Sequence, residues 1–369
     1  MTEPVRIGVV GCGAISGAYL SAARHFPVMR VVACADVVRE AAERKAAEFG
    51  VPRVCSVEEL LAARDVDVVL NLTVPKAHVP VALAALEAGK HTYCEKPLGV
   101  ERDEGRRVLE LAARNGLRVG CAPDTFLGAG VQTARKLIDD GAIGRPVAFT
   151  AFYMSRGHET WHPSPEFYYE RGGGPMFDMG PYYLTALFNL FGPLRRITGA
   201  ASVAVPVRTI TSQPKHGKTI QVETPDHVCG TMEFDNGATG VMIQSFATHH
   251  PPYDEKQPIS VYGTEGTLKV PDPNTFDGPV HLRRGEDSEW REVPSPFLKG
   301  YGRSVGLADM CHAIRSGRPH RASGELGCAV LDAMQGFLES SEKGAAYHPV
   351  ARVERPAPMP SHLPFGQLD

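Results

Sequence analysis

Cys94-Glu95-Lys96-Pro97-Leu98-Gly99 ends an apolar run by setting an ammonium group between a carboxylate and a proline. A lysine there is either a solvated loop residue or a cation presented to a crevice, and the rest of the pattern decides which. A second segment with chemistry in it is Gly11-Cys12-Gly13-Ala14-Ile15-Ser16, which follows the short apolar run 6–10. Its glycines permit a tight turn, so that the backbone of Gly11, Gly13, Ala14 and Ile15 can approach a pyrophosphate at the start of a helix. The third position of the G-x-G-x-x-G pattern is Ser16, with Gly17 next. Asp36 closes a second β-type run, 30–35, and stands 23 residues after Gly13. A carboxylate at that place accepts the ribose hydroxyls of NAD and repels the 2′-phosphate of NADP. Arg39 keeps NADP open as an alternative.

A third segment, His158-Glu159-Thr160-Trp161-His162, fits H-E-x-x-H. Zinc chemistry on that motif needs both imidazoles on one face of a stable helix. Here Gly157 precedes it and Pro163 and Pro165 follow, so no metal site is expected. The mixture of Trp161, His162, Phe167, Tyr168 and Tyr169 reads as a loop that stacks on and hydrogen-bonds a sugar ring. Trp161, His162 and Tyr168 are the substrate-binding candidates. The run Gly172-Gly173-Gly174 is expected to let backbone pass close to a ligand, and His249 and His250 form a further pair.

These groups need elements to place them. Helical patterns over 41–49, 56–63 (capped by Ser56), 79–88 and 102–115 alternate with strand patterns over 66–70, 91–94 and 118–121. Such alternation predicts a parallel, doubly wound sheet, which binds ligands at the carboxyl ends of its strands. Lys96 follows one of those ends, so it faces the crevice. From about residue 125 the pattern changes. A helix over 131–139 precedes a strand over 146–154, then a hairpin, 226–234 with 238–246, around Asp235-Asn236-Gly237 that suits a type I′ turn. A second hairpin joins 260–262 to 267–270, and helices follow over 303–315 and 324–342. The predicted fold class is α/β: an N-terminal Rossmann domain (1–124), an α+β domain with a mostly antiparallel open sheet (125–345), and an extended proline-rich tail (346–369).

Composition narrows the partners. A net charge of -3 without a basic run gives no signature of nucleic-acid binding. No apolar stretch approaches the roughly 20 residues that span a bilayer. The start reads as a strand entering the glycine loop rather than as a targeting segment. The eight scattered cysteines form no C-x-x-C pair, which points to reduced thiols and the cytoplasm.

With these residues in view, the sequence resembles the Gfo/Idh/MocA oxidoreductase family, the glucose-fructose oxidoreductase and inositol dehydrogenase group. The resemblance rests on Gly11–Ser16, on Asn71-Leu72-Thr73-Val74-Pro75 with His78, on Glu95–Gly99, on the Gly141–Pro146 segment and on Gly172–Tyr183. It implies that Asn71, Thr73, Pro75, His78, Glu95 and Lys96 join the glycine loop and Asp36 in binding NAD. It further implies that Lys96 lies beside the nicotinamide, and that Asp178 and Tyr182 complete the catalytic set with Tyr182 as acid/base. Tyrosine stands where many members have histidine, and Thr185 where a further aspartate is common. The activity implied is hydride transfer between NAD(P) and a secondary alcohol or ketone of a sugar, cyclitol or glycoside, by a homodimer or homotetramer. Three other readings share the scaffold: a sugar–sugar oxidoreductase with tightly held cofactor, an NAD-dependent glycosidase, and a non-catalytic sensor.

Overall fold

The valine- and alanine-rich runs of the first third are apolar on both faces, and a parallel sheet flanked by helices is the arrangement that buries them. In the computed structural model, which describes residues 3–249, 251 and 253–368, five of these runs pair in parallel. They are β1 (Val5–Val10), β2 (Met29–Ala35), β3 (Val68–Asn71), β4 (His91–Cys94) and β5 (Val119–Cys121), in the order β2-β1-β3-β4-β5. A parallel bridge from Cys34 to Val54 extends the row past β2. Counting that bridge as a strand gives the 3-2-1-4-5-6 order of a doubly wound dinucleotide fold.

The connections are α1 (Ser16–Ala23), α2 (Arg39–Phe49), α3 (Val57–Ala62), α4 (Pro75–Glu87) and α5 (Arg102–Arg114). Ser56 caps α3 by accepting from the Glu59 amide, and Glu59 reaches back to the Ser56 amide, so the expected start is present. Val10, Ala33, Ala35, Leu60, Val66, Val69 and Ala85 form a core between sheet and helices. Helix α4 corrects the expectation of 79–88. It starts four residues earlier at Pro75, which fits the first helical position because its missing N–H would be unpaired there anyway, and it carries Pro80 inside.

The second half builds an eight-stranded sheet. Its elements run α6 (Ala129–Asp139), β6 (Pro146–Met154), α7 (Gly174–Asp178), α8 (Gly180–Phe191), β7 (Leu194–Ser202), β8 (Val207–Thr209), β9 (Thr219–Gln221), β10 (His227–Phe234), β11 (Thr239–Ser245), β12 (Ile259–Gly263), β13 (Gly266–Val270), β14 (Val280–Arg284) and β15 (Arg291–Val293). The order is β15-β14-β13-β12-β6-β11-β10-β7; every pair is antiparallel except β6 with β11, and β8 and β9 form a separate ribbon. Phe149, Phe188, Phe191 and Phe234 pack ring on ring beneath one sheet face. The β10–β11 hairpin forms, but its turn is not type I′. That turn needs positive φ at both central residues, and only Gly237 (φ +88) has it. The amide of Gly237 donates to the Phe234 carbonyl at 3.0 Å, giving a three-residue loop closed by a left-handed glycine.

The late segments also correct the domain division. The helix over Val305–Ser316 (α9) packs on α1 and β5, and the Gly306 amide donates to Asp124 Oδ2 at 3.0 Å. Past it, the tail lays Phe365 against Tyr301 with centroids 4.7 Å apart. The first compact unit therefore comprises the chain up to Ala129, Pro296–Leu331 and the residues from Pro356; the second comprises Gly130–Ser295 and Asp332–Arg355. Helix α10 (Gly324–Lys343) is divided between them. A contact made back across nearly the whole chain leaves no local sequence mark, which is why the helix over 303–315 reads as part of the second domain.

Candidate active site

In the first unit the carboxyl ends of β1, β3 and β4 lie side by side, and each carries one of the predicted segments. After β1, Gly11 adopts φ +97, and a Cβ on it would sit 2.7 Å from the backbone of Leu72, so no other residue fits. Gly13 is the opposite case: a Cβ there meets nothing within 4 Å, because the residue faces open space. Ala14 is exposed and Ile15 half-buried. No side chain caps α1 and no acidic residue lies in its first turn, which leaves its amides suited to an anion. Asp36 accepts from the Cys12 amide (2.7 Å) and the Val38 amide (2.8 Å), and so ties the glycine loop to the end of β2. A carboxylate has lone pairs left after two such bonds, so it can still accept from ribose hydroxyls. These features fit a dinucleotide.

After β3, Asn71 is fully buried. Its Oδ1 accepts from the Thr73 hydroxyl at 2.7 Å and its Nδ2 donates to the His78 carbonyl at 2.9 Å. His78 is buried too, with Nδ1 2.7 Å from the Pro97 carbonyl and Nε2 2.9 Å from the Thr73 carbonyl. Burial holds the imidazole pKa below its usual value. Asn71 and His78 thus spend these polar atoms inside the protein, on carbonyls and the Thr73 hydroxyl, and so position the loop that carries Thr73 and Pro75. His78 thereby links the β3 loop to the lysine loop after β4.

The Lys96–Pro97 peptide bond is cis. Glu95, buried, holds Lys96 through the main chain: its Oε2 accepts from the Lys96 amide at 2.9 Å, and its Oε1 accepts from the Tyr19 hydroxyl at 2.8 Å. Sequence reasoning named Glu95 among the nucleotide-binding residues without this backbone bond. It also missed Tyr19, whose phenol is kept protonated by burial and by the neighbouring Glu95 charge.

In the second unit the H-E-x-x-H segment is a single 3₁₀ turn over His158–Thr160, not the helix that zinc chemistry requires. His158 Nε2 lies 2.8 Å from Asp178 Oδ2, so this nitrogen carries the proton and the carboxylate accepts. Sequence reasoning did not place His158 at a site, because its partner lies twenty residues on. Around it, Tyr168 stands edge-on at 4.3 Å and Trp161 at 5.0 Å, and His162 lies 5.3 Å from Tyr168. The candidates Trp161, His162, Tyr168 and Asp178 are thus brought together. Tyr182 is buried in the first turn of α8, one turn after Asp178. The glycine run corrects another expectation: a Cβ on Gly173 would lie 2.7 Å from the Phe167 and Tyr168 carbonyls, so the close approach is to the chain's own loop. His249 is exposed; His250 lies outside the described residues.

Beneath this loop is a buried charge cluster that the sequence did not announce. Arg208, from β8, donates to Glu159 Oε1 (2.9 Å), Asp226 Oδ2 (2.6 Å), the Arg156 carbonyl (2.8 Å) and the Phe246 carbonyl (2.8 Å). Tyr169 donates to Glu159 Oε2 and accepts from the His158 amide at 3.0 Å. Gly157 has φ +112, and a Cβ there would fall 2.4 Å from the Tyr169 hydroxyl. Among the described residues no cluster suits a metal ion.

Residues 5–122 match the family described as "Oxidoreductase family, NAD-binding Rossmann fold", and residues 131–269 match the "GFO/IDH/MocA C-terminal domain". The chain belongs to the Gfo/Idh/MocA oxidoreductase family. As such it is an NAD-binding oxidoreductase, in agreement with the resemblance read from the motifs. This Gfo/Idh/MocA member is 28% identical to 1,5-anhydro-D-fructose reductase of Ensifer adhaerens over 347 residues, covering 92% of this chain and 97% of that protein. It is 24% identical to inositol 2-dehydrogenase of Burkholderia cenocepacia (strain HI2424), covering 96% and 98%. Its fold superposes on levoglucosan dehydrogenase in complex with NADH and L-sorbose with a TM-score of 0.81 at 22% identity, covering 95% of this chain and 100% of that one. No described helix is long and apolar enough to cross a membrane.

Proposed function

We propose that this protein is an NAD-dependent dehydrogenase of a secondary alcohol on a sugar, cyclitol or glycoside. The observation that carries the reading is the convergence of the glycine loop, the Thr73–Pro75 loop and the Glu95-anchored Lys96 at the carboxyl ends of three adjacent strands. Bound NAD supplies the hydride acceptor, and with it the redox chemistry. The chain's own residues bind and move the proton. Gly11, Gly13, Ala14 and Ile15 receive the pyrophosphate, Asp36 the ribose, and Thr73 and Pro75 wall the nucleotide, while Asn71, His78 and Glu95 hold the loops in place. Tyr182 takes the hydroxyl proton and Lys96 hydrogen-bonds the same oxygen. Asp178, oriented by His158, accepts from a neighbouring hydroxyl, and Trp161, His162 and Tyr168 contact the substrate.

The relatives' names support a dehydrogenase or reductase over a glycosidase or a sensor. Eight free cysteines support a reducing, cytoplasmic setting. The sheet face bearing Phe152, Val241, Ile243 and Tyr262 is partly exposed and apolar, which supports a homodimer or homotetramer built on the second unit; a monomer in light scattering would remove that part. The activity is tested by incubating purified protein with NAD and a panel of sugars, inositols and glycosides. NADH is expected with at least one class. Release of aglycone without NADH would instead establish the glycosidase.

A further inference from the structure

The rings around His158 run outward in steps of increasing exposure. His158 is buried against Asp178, and Tyr168 and His162 are half-buried. Beyond them Trp161 is 60% exposed and Phe167 47% exposed. Trp161 and Phe167 stand 5.4 and 5.5 Å from the His162 ring, so they flank it, and Phe167 overlaps Tyr168 at 4.0 Å. Leaving two large rings in water forgoes about 25 cal/mol for each Å² of apolar surface that could have been buried. Scattered exposed aromatics need no explanation, but a cluster beside a candidate site does.

The backbone under these rings is fixed. Ser212 Oγ donates to the His162 carbonyl at 2.5 Å, and the Thr211 and Ser212 amides donate to the Glu159 carbonyl at 2.9 and 3.2 Å. Lys215 pairs with Glu166 at 2.5 Å, and the Arg208 cluster lies below. A loop held in this way presents its rings already in place, which lowers the ordering cost of binding. Flat apolar faces flanking one imidazole match a pyranose, which has a C–H face for stacking and hydroxyls at its rim.

We propose that Trp161 and Phe167 form a second sugar-ring subsite, so that the preferred substrate is a glycoside of at least two rings. The inner ring meets Asp178 and Tyr168, and the outer ring stacks on Trp161 with His162 reaching its hydroxyls. This rests on the reading that the Asp178 side of the loop binds the reacting sugar.

The chain has two tryptophans, and Trp290, just before β15, sits under the Lys269 ammonium at 4.8 Å. Trp290→Phe therefore makes Trp161 the sole indole reporter. This variant, without nucleotide, is titrated with α- and β-linked glucose disaccharides and with glucose and its methyl glycosides. At least one disaccharide should shift the emission and bind about tenfold more tightly than any single-ring sugar, a difference of about 1.4 kcal/mol. Phe167→Ala in the same background should remove several-fold of that advantage. Equal affinities, or emission unmoved by every disaccharide, would overturn the subsite. So would emission that changes with protein concentration alone, which assigns the rings to a contact between copies. Calorimetry on the wild-type chain reads the same affinity ratio should Trp290→Phe not fold. Neither measurement uses turnover, so oxidation of single-ring sugars together with a silent Trp161 would sink this proposal and leave the dehydrogenase reading intact.

Discussion

The sheet edge of the first unit and the 156–182 segment of the second hold their functional groups by different means. At the sheet edge the grip is made with backbone. Asp36 binds the amides of Cys12 and Val38, Glu95 binds the amide of its own neighbour, and Asn71 and His78 bind carbonyls within a few residues or one strand away. In the second unit the grip is made by charges: Arg208 reaches Glu159 and Asp226, and Asp178 reaches back to His158. The first kind of site has no room for a side chain at Gly11. The second depends on a few buried ions.

Arg208→Met should show that dependence most strongly. Removing one partner from a buried ion cluster costs about 3–5 kcal/mol, because Glu159 and Asp226 are left as unpaired charges. The expected result is a large drop in Tm together with loosening of the His158 loop. A stability within about 1 kcal/mol of wild type would mean that the cluster does not hold the second site.

In the first unit the corresponding weak point is Gly11. Gly11→Ala should cost about 1–3 kcal/mol from backbone strain, with the Leu72 clash added, and NAD binding measured by calorimetry should be lost. Gly13→Ala is the control: it should fold like wild type, since its Cβ meets no protein atom, and lose affinity only for nucleotide.

This contrast also explains what could be read in advance. The parallel sheet, the glycine loop, Asp36 and Lys96 were legible because each lies in a run of a few residues whose spacing is itself the signal. Helix α8 was not, because every one of its residues is buried and it shows no polar face to set a period. His158 was read only as half of a zinc motif, since its partner lies twenty residues away. Arg208, in an isolated three-residue strand, gave no signal at all, and Tyr19 looked like any helix aromatic.

A smaller effect separates the two binding faces of the nucleotide. NAD should bind about tenfold more tightly than NADP, because a 2′-phosphate would meet the Asp36 carboxylate. Fluorescence titration checks this, and equal affinities would take Asp36 out of the ribose role.

The smallest expected effect is a pH dependence, and it should fall on the first unit. Asp226 pairs with Arg208 at 2.6 Å, whereas the nearest guanidinium to buried Asp124 is Arg303 at 3.9 Å, and burial pushes Asp124 up to about 6. Unfolded, an aspartate titrates near 3.9. The folded chain therefore keeps the Asp124 proton between about pH 4 and 6, and this group's contribution to stability falls as pH rises through that window and is level above it. The slope is at most about 1.4 kcal/mol per pH unit. Asp124→Asn lacks it, so urea unfolding at pH 4.5 and 6.5 should show the wild type losing about 1–2 kcal/mol relative to the variant. An unchanged difference would show that Asp124 is ionised throughout.

The central claim is that Lys96 and Tyr182 act on one reacting oxygen. Its most direct test is steady-state turnover of Lys96→Met, Tyr182→Phe and the double variant on an accepted substrate, with NAD affinity measured alongside. A positioned proton-transfer group contributes roughly 10²–10⁴-fold, so each single change should lower kcat by that much, and the double variant should be little worse than the poorer single one. NAD affinity should hold in Tyr182→Phe. Losses that multiply in the double variant would contradict action on one oxygen, and wild-type turnover in Tyr182→Phe would contradict the account outright and move the acid/base role to His162.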